Sequence, residues 1–276
     1  MVEQKRKFAR FQDLHTRPGA FVMANAWNAG SAMILERLGF EALATTSAGL
    51  AFSIGLRDSQ ALLSRDMVLA NAREIVDTIH LPVSADLEGG FGDAPEACAE
   101  TIRQAMEVGL VGGSIEDATG DADQPIHAFT LAVERVSAAV EARRGRPFLI
   151  TARSENFLHG RPDLDDTITR LQAFERAGAD VLYAPGLPDL EAIRTVCASV
   201  VRPVNVVMGL SGPTWSVAQL ENAGVKRISV GGSFARAALG GLMRAATEVR
   251  QHGTFGYAVE ALPDAEAQRY MWAGRK

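Results

Sequence analysis

Short, apolar, β-prone runs alternate along this chain with longer amphipathic stretches, and no other feature restricts its fold as tightly. The runs fall at 21–27, 41–47, 82–88, 112–117, 147–153, 180–185, 203–208 and 227–231. Between them, segments such as 94–109, 127–144, 164–177 and 234–251 carry apolar residues three and four positions apart, the spacing of a helix that buries one face. Strand then helix, repeated, signals βαβ units around a parallel sheet. Several helix-like segments run into a glycine just before the next strand, at Gly39, Gly109, Gly178 and Gly224. A glycine there takes the left-handed conformation that ends a helix and turns the chain. Eight strand-like runs in 276 residues predict an α/β fold closed as a (β/α)₈ TIM barrel.

No Pro/Ser-rich linker or low-complexity segment interrupts the pattern, so residues 1–276 are read as a single barrel domain. Residues 258–273 read as one helix more than a barrel needs, and a spare terminal helix of this kind packs on a neighbour, which predicts an oligomer. The composition, 47% hydrophobic and 22% charged, is that of an ordinary globular protein. No apolar stretch of about eighteen residues is present, so no membrane span is expected. The charged residues 1–15 are expected to form a short surface helix and not a secretion signal. A formal net charge of −5 with scattered lysines and arginines argues against a nucleic-acid surface. Cys98 and Cys197 lie far apart without CxxC spacing, which fits a reducing cytoplasm and two buried packing groups in place of a disulfide or zinc site.

Catalytic groups of such barrels come from the C-terminal ends of strands and the loops that follow. Those places hold Thr45 to Gly49 and Asp58 after the second run, Asp86 and Glu88 at the third, and Glu116 and Asp117 at the fourth. They continue with Arg153 and Glu155 at the fifth, Tyr183 at the sixth, Asn205 at the seventh and Gly231-Gly232-Ser233 at the eighth. Asp58, Asp86, Glu88 and Glu116 on one rim would repel one another unless a cation neutralised them. Asp86 and Glu88, two apart on a strand, point to the same face. An all-oxygen donor set suits Mg²⁺ or Mn²⁺; the competing reading has the acids capping helices or pairing with surface arginines. Arg153 closes an apolar run with its planar fork at the mouth, suited to gripping a substrate carboxylate, or to a structural ion pair with Glu155 or a neighbouring acid. Thr46, Ser47, Ala48 and Gly49 form a small-residue turn whose N–H groups offer anion contacts. The Gly231-Gly232-Ser233 turn is read as a plain helix start more than a phosphate site. Of the histidines, only His127 and His159 fall in loops at the mouth, and both are read as solvated.

The runs TTSAG (45–49), GLRD (55–58), SADLEGGFGD (84–93), SIED (114–117) and ARSENF (152–157) resemble the isocitrate lyase/phosphoenolpyruvate mutase superfamily, in order and over nearly the whole chain. The resemblance implies a barrel whose eighth helix is exchanged between subunits of a homodimer or homotetramer. It implies Mg²⁺ held by Asp86, with Asp58, Glu88 and Glu116 in the water-mediated shell. It also implies that Ser47, Ala48 and Gly49 bind the 2-oxo carboxylate, that Arg153 holds the distal anion and that Asn205 lines the pocket. Three departures stand out. The third run reads Asp86-Leu87-Glu88 where many members carry a second aspartate. The stretch 118–129, ATGDADQPIHAF, lacks the acid/base cysteine of the lyases and the asparagine loop of the mutases. Tyr183-Ala184-Pro185 replaces the glutamate or histidine found after the sixth strand.

Together these features predict a metal-dependent carbon–carbon lyase acting on a small 2-oxo acid, oxaloacetate-, 2-oxoglutarate- or methylisocitrate-like, through an enolate. Decarboxylation needs no base to start it, and only a proton donor, water or Tyr183, to finish it. Asp58, Arg153 and Tyr183 are the candidate catalytic residues. The alternatives are a carbon–phosphorus enzyme, either phosphonopyruvate hydrolase or mutase, and a weakly active protein that binds 2-oxo acids.

Overall fold

Parallel pairing closes eight strands into one ring in chain order, β1 through β8 and back to β1, in a computed structural model. It describes residues 2–58, 62–210 and 212–271. The strands are β1 (Phe21–Ala26), β2 (Leu43–Thr45), β3 (Val83–Asp86), β4 (Gly112–Glu116), β5 (Leu149–Arg153), β6 (Val181–Tyr183), β7 (Val204–Val207) and β8 (Arg227–Ser229). All eight lie where apolar runs were expected, each trimmed to the residues that pair in register. The first half of the helical shell comprises α1 (Val2–Thr16), α2 (Ala29–Arg37), α3 (Ser47–Ser53), α4 (Arg65–Thr78) and α5 (Pro95–Glu107). The second half adds α6 (Phe129–Ala142), α7 (Leu164–Arg176), α8 (Leu190–Ser199), α9 (Val217–Asn222), α10 (Ser233–His252) and α11 (Asp264–Tyr270). The four glycines that precede strands, Gly39, Gly109, Gly178 and Gly224, all have φ between 90° and 101°, so each closes its helix as expected.

Local chemistry explains the helix starts. Asn28, Ser64, Asp163, Asp189 and Ser216 each accept a hydrogen bond from the third backbone N–H of the helix that follows, meeting a donor that would otherwise lack a partner. The apolar faces of these helices then pack on the outer face of the barrel, as Ile75, Ile102, Leu171 and Val196 do, all fully buried.

Two expectations change. The N-terminal helix is no mere surface element: Phe11 and Leu14 of α1 are 0% and 1% exposed, and they pack with Phe21, Val111 and Leu149 at the N-terminal ends of the strands. It plugs the bottom of the barrel; Met1 lies outside the described residues. The stretch 258–273 is also not one helix. A 3-10 turn at Gly256–Val259 and α11 flank the break at Leu262-Pro263, since proline cannot continue a helix from the preceding turn. Residues 272 and 273 lie outside the described residues. No helix among the described residues is long and apolar enough to cross a membrane.

Candidate active site

Strand register sets the candidate side chains side by side at the C-terminal mouth. Glu116 pairs with Arg153, Arg153 with Tyr183, Tyr183 with Asn205, and Asn205 with Arg227. A cavity of about 440 Å³ opens there, walled by Thr46, Ser47, Ala48, Asp58, Asp86, Arg153, Tyr183 and Asn205 among others. That volume suits a small-molecule site. Of the eleven residues given catalytic, substrate or metal roles from sequence, eight therefore meet, with three exceptions. Gly49 lies behind the wall, where an added Cβ would sit 2.7 Å from Thr46 Cγ2 and 2.8 Å from Trp27 Cβ. Glu116 stands behind Arg153. Glu88 faces an adjoining cavity of about 570 Å³, beside Asp93, His127 and Arg135.

The placement of Glu88 corrects the alternation argument. β3 ends at Asp86, and Glu88 takes φ of +47°, a left-handed backbone that costs a non-glycine residue energy and swings its side chain off the strand face. Its carboxyl nonetheless feels the rim: burial, followed by the charges of Asp86, Glu116 and Asp58, pushes it up to about 8. Asp58 stands at the solvent edge, and partial burial together with the Asp86 charge raises it as well.

Arg153 is the hub. Its Nη1 lies 3.1 Å from Asp86 Oδ1 and 3.2 Å from Glu116 Oε2, and its Nε donates to Glu155 Oε1 at 2.7 Å. Burial works against its charge, but Glu155, Glu116 and Asp86 hold it well above its ordinary value. The ion pair with Glu155 considered from sequence is thus present, on a guanidinium that also faces the cavity. Ser47 Oγ donates to the other oxygen of Asp86 at 2.9 Å. The turn at 46–49 is the start of α3, with Thr46 Oγ1 accepting the Gly49 N–H.

The donor chemistry bears on a metal. Asp58, Asp86, Glu88 and Glu116 lie close enough that the negative charge of the other three adds to burial in raising Glu88. Carboxylate oxygens of this kind fit a hard divalent cation. Among the described residues no three His, Cys, Asp or Glu side chains are already drawn together as a ligand cluster, because Arg153 occupies the space between Asp86 and Glu116.

Other candidates go elsewhere. Asp117 is buried against Arg170 at 3.1 Å and accepts the Glu155 N–H at 2.8 Å. His127 is buried, not solvated, with its carbonyl accepting from Arg170; burial lowers its pKa. Cys98 is fully buried, Cys197 only partly. The Gly231 N–H is taken by Asn25 Oδ1 at 2.9 Å. Residues 118–126 fold back on themselves through a bridge between Ala118 and Ile126.

Below the rim lies a layer the strand-end reading missed. Arg227 and Ser229 point inward from β8, and both line the cavity with Asn25 and Arg236. Arg227 is 3% exposed, and burial pushes it down to about 9. Burial also holds the Tyr183 phenol well above its ordinary value, against the pull of Arg153, whose guanidinium carbon is 4.9 Å from the ring centre. Inward alternation along RIS (227–229) is the signal that could have exposed this layer.

A closed parallel barrel with an anion-ready, carboxylate-rich mouth at its C-terminal face defines a class of small-acid enzymes. The family model described as phosphoenolpyruvate phosphomutase matches residues 11–250, and the chain belongs to this family, within the isocitrate lyase/phosphoenolpyruvate mutase superfamily. It is 56% identical to a Burkholderia cenocepacia protein assigned broadly as a lyase/mutase, with a TM-score of 0.95 over 98% of this chain and 97% of that one. It is 29% identical over 225 residues to 2-methylisocitrate lyase of Escherichia coli, covering 78% of this chain and 75% of the relative. It is 27% identical over 270 residues to oxaloacetate decarboxylase of Paraburkholderia xenovorans, covering 93% and 80%.

Proposed function

We propose that this chain is a Mg²⁺-dependent carbon–carbon lyase that cleaves a small 2-oxo di-acid of the oxaloacetate type. The observation that carries the reading is the Arg153 guanidinium held against Asp86 in one cavity that Asp58 also lines, with Glu116 and Glu155 behind it. Asp86 is the residue to hold the ion directly, with Asp58, Glu88 and Glu116 acting through water; Mn²⁺ would satisfy the same donors. Once bound, the ion supplies Lewis-acid stabilisation for the charge that develops on the substrate's keto oxygen.

The chain's own residues do the rest. Ser47 and Ala48, at the start of α3, receive the 2-oxo carboxylate, with Thr46 and Gly49 shaping that turn. Arg153 grips the distal carboxylate, and Asn205 and Tyr183 line the wall and floor. Loss of CO₂ breaks the bond between C3 and the distal carboxyl carbon, and its electron pair passes into the enolate of pyruvate. No base is needed to start that step. This agrees with the lack of any cysteine in 118–129 and with the decarboxylase among the relatives. A proton delivered to C3 completes the reaction.

The test is turnover of oxaloacetate to pyruvate with added Mg²⁺, measured above the rate of the metal alone and in the presence of chelator. Loss of the excess rate in Asp86→Ala supports the reading. Phosphate release from phosphonopyruvate would turn it toward carbon–phosphorus chemistry, and binding without turnover would make the chain a 2-oxo acid binder. The reading includes a homodimer or homotetramer formed by exchange of α10, in a reducing cytoplasm. Along the 20 residues of α10 only Ala235 is buried, while Leu242 and Met243 are 64% and 69% exposed, an apolar surface suited to a second copy.

A further inference from the structure

The layer beneath the rim holds a buried cation without a countercharge. Arg227 is 3% exposed, and its Nε donates to Asn205 Oδ1 at 2.8 Å while Nη2 donates to Thr151 Oγ1 at 3.0 Å across the barrel. Nη1 lies 3.5 Å from His15 Nε2. All three partners are neutral. For His15 this follows from Nδ1, which lies 2.7 Å from the Phe11 carbonyl; a carbonyl only accepts, so Nδ1 carries the proton and Nε2 offers a lone pair. Among the described residues Arg227 has no ion pair, and the groups whose charge bears on it are Tyr183 and Arg153, neither of them a carboxylate. Burial pushes it down only to about 9, so it is still charged at neutral pH. A guanidinium has five N–H donors, and these contacts leave one on each terminal nitrogen without an acceptor among the described residues.

Arg153 differs from Arg227 in its company. It faces Asp86, Glu116 and Glu155 within 3.2 Å, so an anion arriving there competes with three carboxylates, and at Arg227 with none. A buried charge is costly unless an opposite charge and a full set of hydrogen bonds compensate it. Arg227 has neither, and both arginines line the same cavity of about 440 Å³. Strand register gives the depth. Thr151, which holds Nη2, precedes Arg153 by two residues on β5, so it lies one inward-facing layer, roughly 7 Å of strand, below it. Between the two layers the cavity wall is polar, with Ser84, Asn205 and Ser229 along it, which suits a carboxylate better than an alkyl group.

We propose that Arg227 is a substrate-binding residue that receives the far carboxylate of an extended 2-oxo di-acid, one long enough to pass from the rim to the layer below. That substrate class deepens the lyase reading and rests on it; the binding of a carboxylate at Arg227 does not. An acid of the oxaloacetate type keeps its distal carboxylate at the rim with Arg153. A longer acid carries that group past the rim to the guanidinium below, where it supplies the missing countercharge and accepts the N–H groups left over.

Calorimetric titration of the full chain in Mg²⁺ tests this with two probes, 2-oxoadipate and 2-oxohexanoate, the same carbon chain without the far carboxylate. In wild type the extra carboxylate should tighten binding by about 10- to 100-fold, the scale of hydrogen bonds to a charged group. In Arg227→Met the two acids should bind alike, while oxalate, which has no arm, still binds and reports that the variant is folded. Arg227→Lys, which keeps the charge, should recover part of the difference. A preference for 2-oxoadipate that survives Arg227→Met overturns the proposal, and so does a wild type that binds both acids equally. Should Arg227→Met fail to bind oxalate, a crystal structure of wild type with 2-oxoadipate decides. The far carboxylate is expected on Arg227; finding it at Arg153 alone, with water or a free small anion at Arg227, overturns the proposal. A wild type that keeps the preference but turns over no 2-oxo acid loses the lyase reading and retains the carboxylate site. Turnover of oxaloacetate without the preference does the reverse.

Discussion

Arg153 holds Asp86, Glu116 and Glu155 with one guanidinium, so its removal leaves a buried acid cluster uncompensated. Arg153→Met should lower stability by roughly 3–5 kcal/mol, read from urea unfolding. A loss under about 1 kcal/mol, the scale of an exposed pair, would show that the acids have other support. The sequence offered Arg153 as an anion grip or as a partner of Glu155, and residue type alone could not choose, because both uses want a half-buried planar cation at a strand end. Asp86 was legible for a simpler reason: it ends a regular strand, and period-two alternation holds up to that point. Glu88 was not, since a backbone at φ of +47° breaks the rule that would have placed it. Arg227 and Ser229 were missed because they sit one layer below the strand ends, inside the run that was read only as wall.

At the scale of elements, the apolar periodicity made all eight strands and their order visible, because burial on both faces of a parallel strand leaves a dense apolar run. Close packing inside that ring can be probed at Gly113 of β4. A Cβ there would lie 2.6 Å from Leu87 Cδ1 and 3.0 Å from Phe148 Cζ, so Gly113→Ala should cost about 1–3 kcal/mol by overpacking. An unchanged urea midpoint would mean the neighbours shift freely. The role of α1 was hidden, since a polar terminal helix looks the same whether it lies on a surface or plugs a barrel end. His15 reports on that plug. Burial, reinforced by Arg227, lowers its imidazole from 6.5 to about 3, so between those values the unfolded chain binds a proton that the folded chain does not. Its contribution to stability is therefore complete above pH 6.5 and is lost as the pH falls toward 3, at up to about 1.4 kcal/mol per pH unit. His15→Gln should flatten that part of the acid limb; identical slopes in variant and wild type would show that the ring is not buried neutral.

For the whole molecule, the exposed apolar residues of α10 and of the segment after it, including Val259 at 91% exposure, predict a species larger than one 29.5 kDa chain. Sedimentation equilibrium should give two or four copies, and Leu242→Glu with Met243→Glu should shift the population to monomer. A wild-type monomer at micromolar concentration would remove the exchange of α10. The site as an assembly was partly legible because its motifs lie at successive strand ends, which the barrel must bring into one ring. Their distances were not, because Arg153 had to be placed among the acids by the register of β4 with β5. The central claim is that those acids meet a hard cation at the mouth. Calorimetric titration of Mg²⁺ into the protein with oxalate, a planar mimic of the pyruvate enolate, tests it directly. Saturable one-to-one binding in wild type and none in Asp86→Ala is the expected result; equal heats from both proteins would contradict the account.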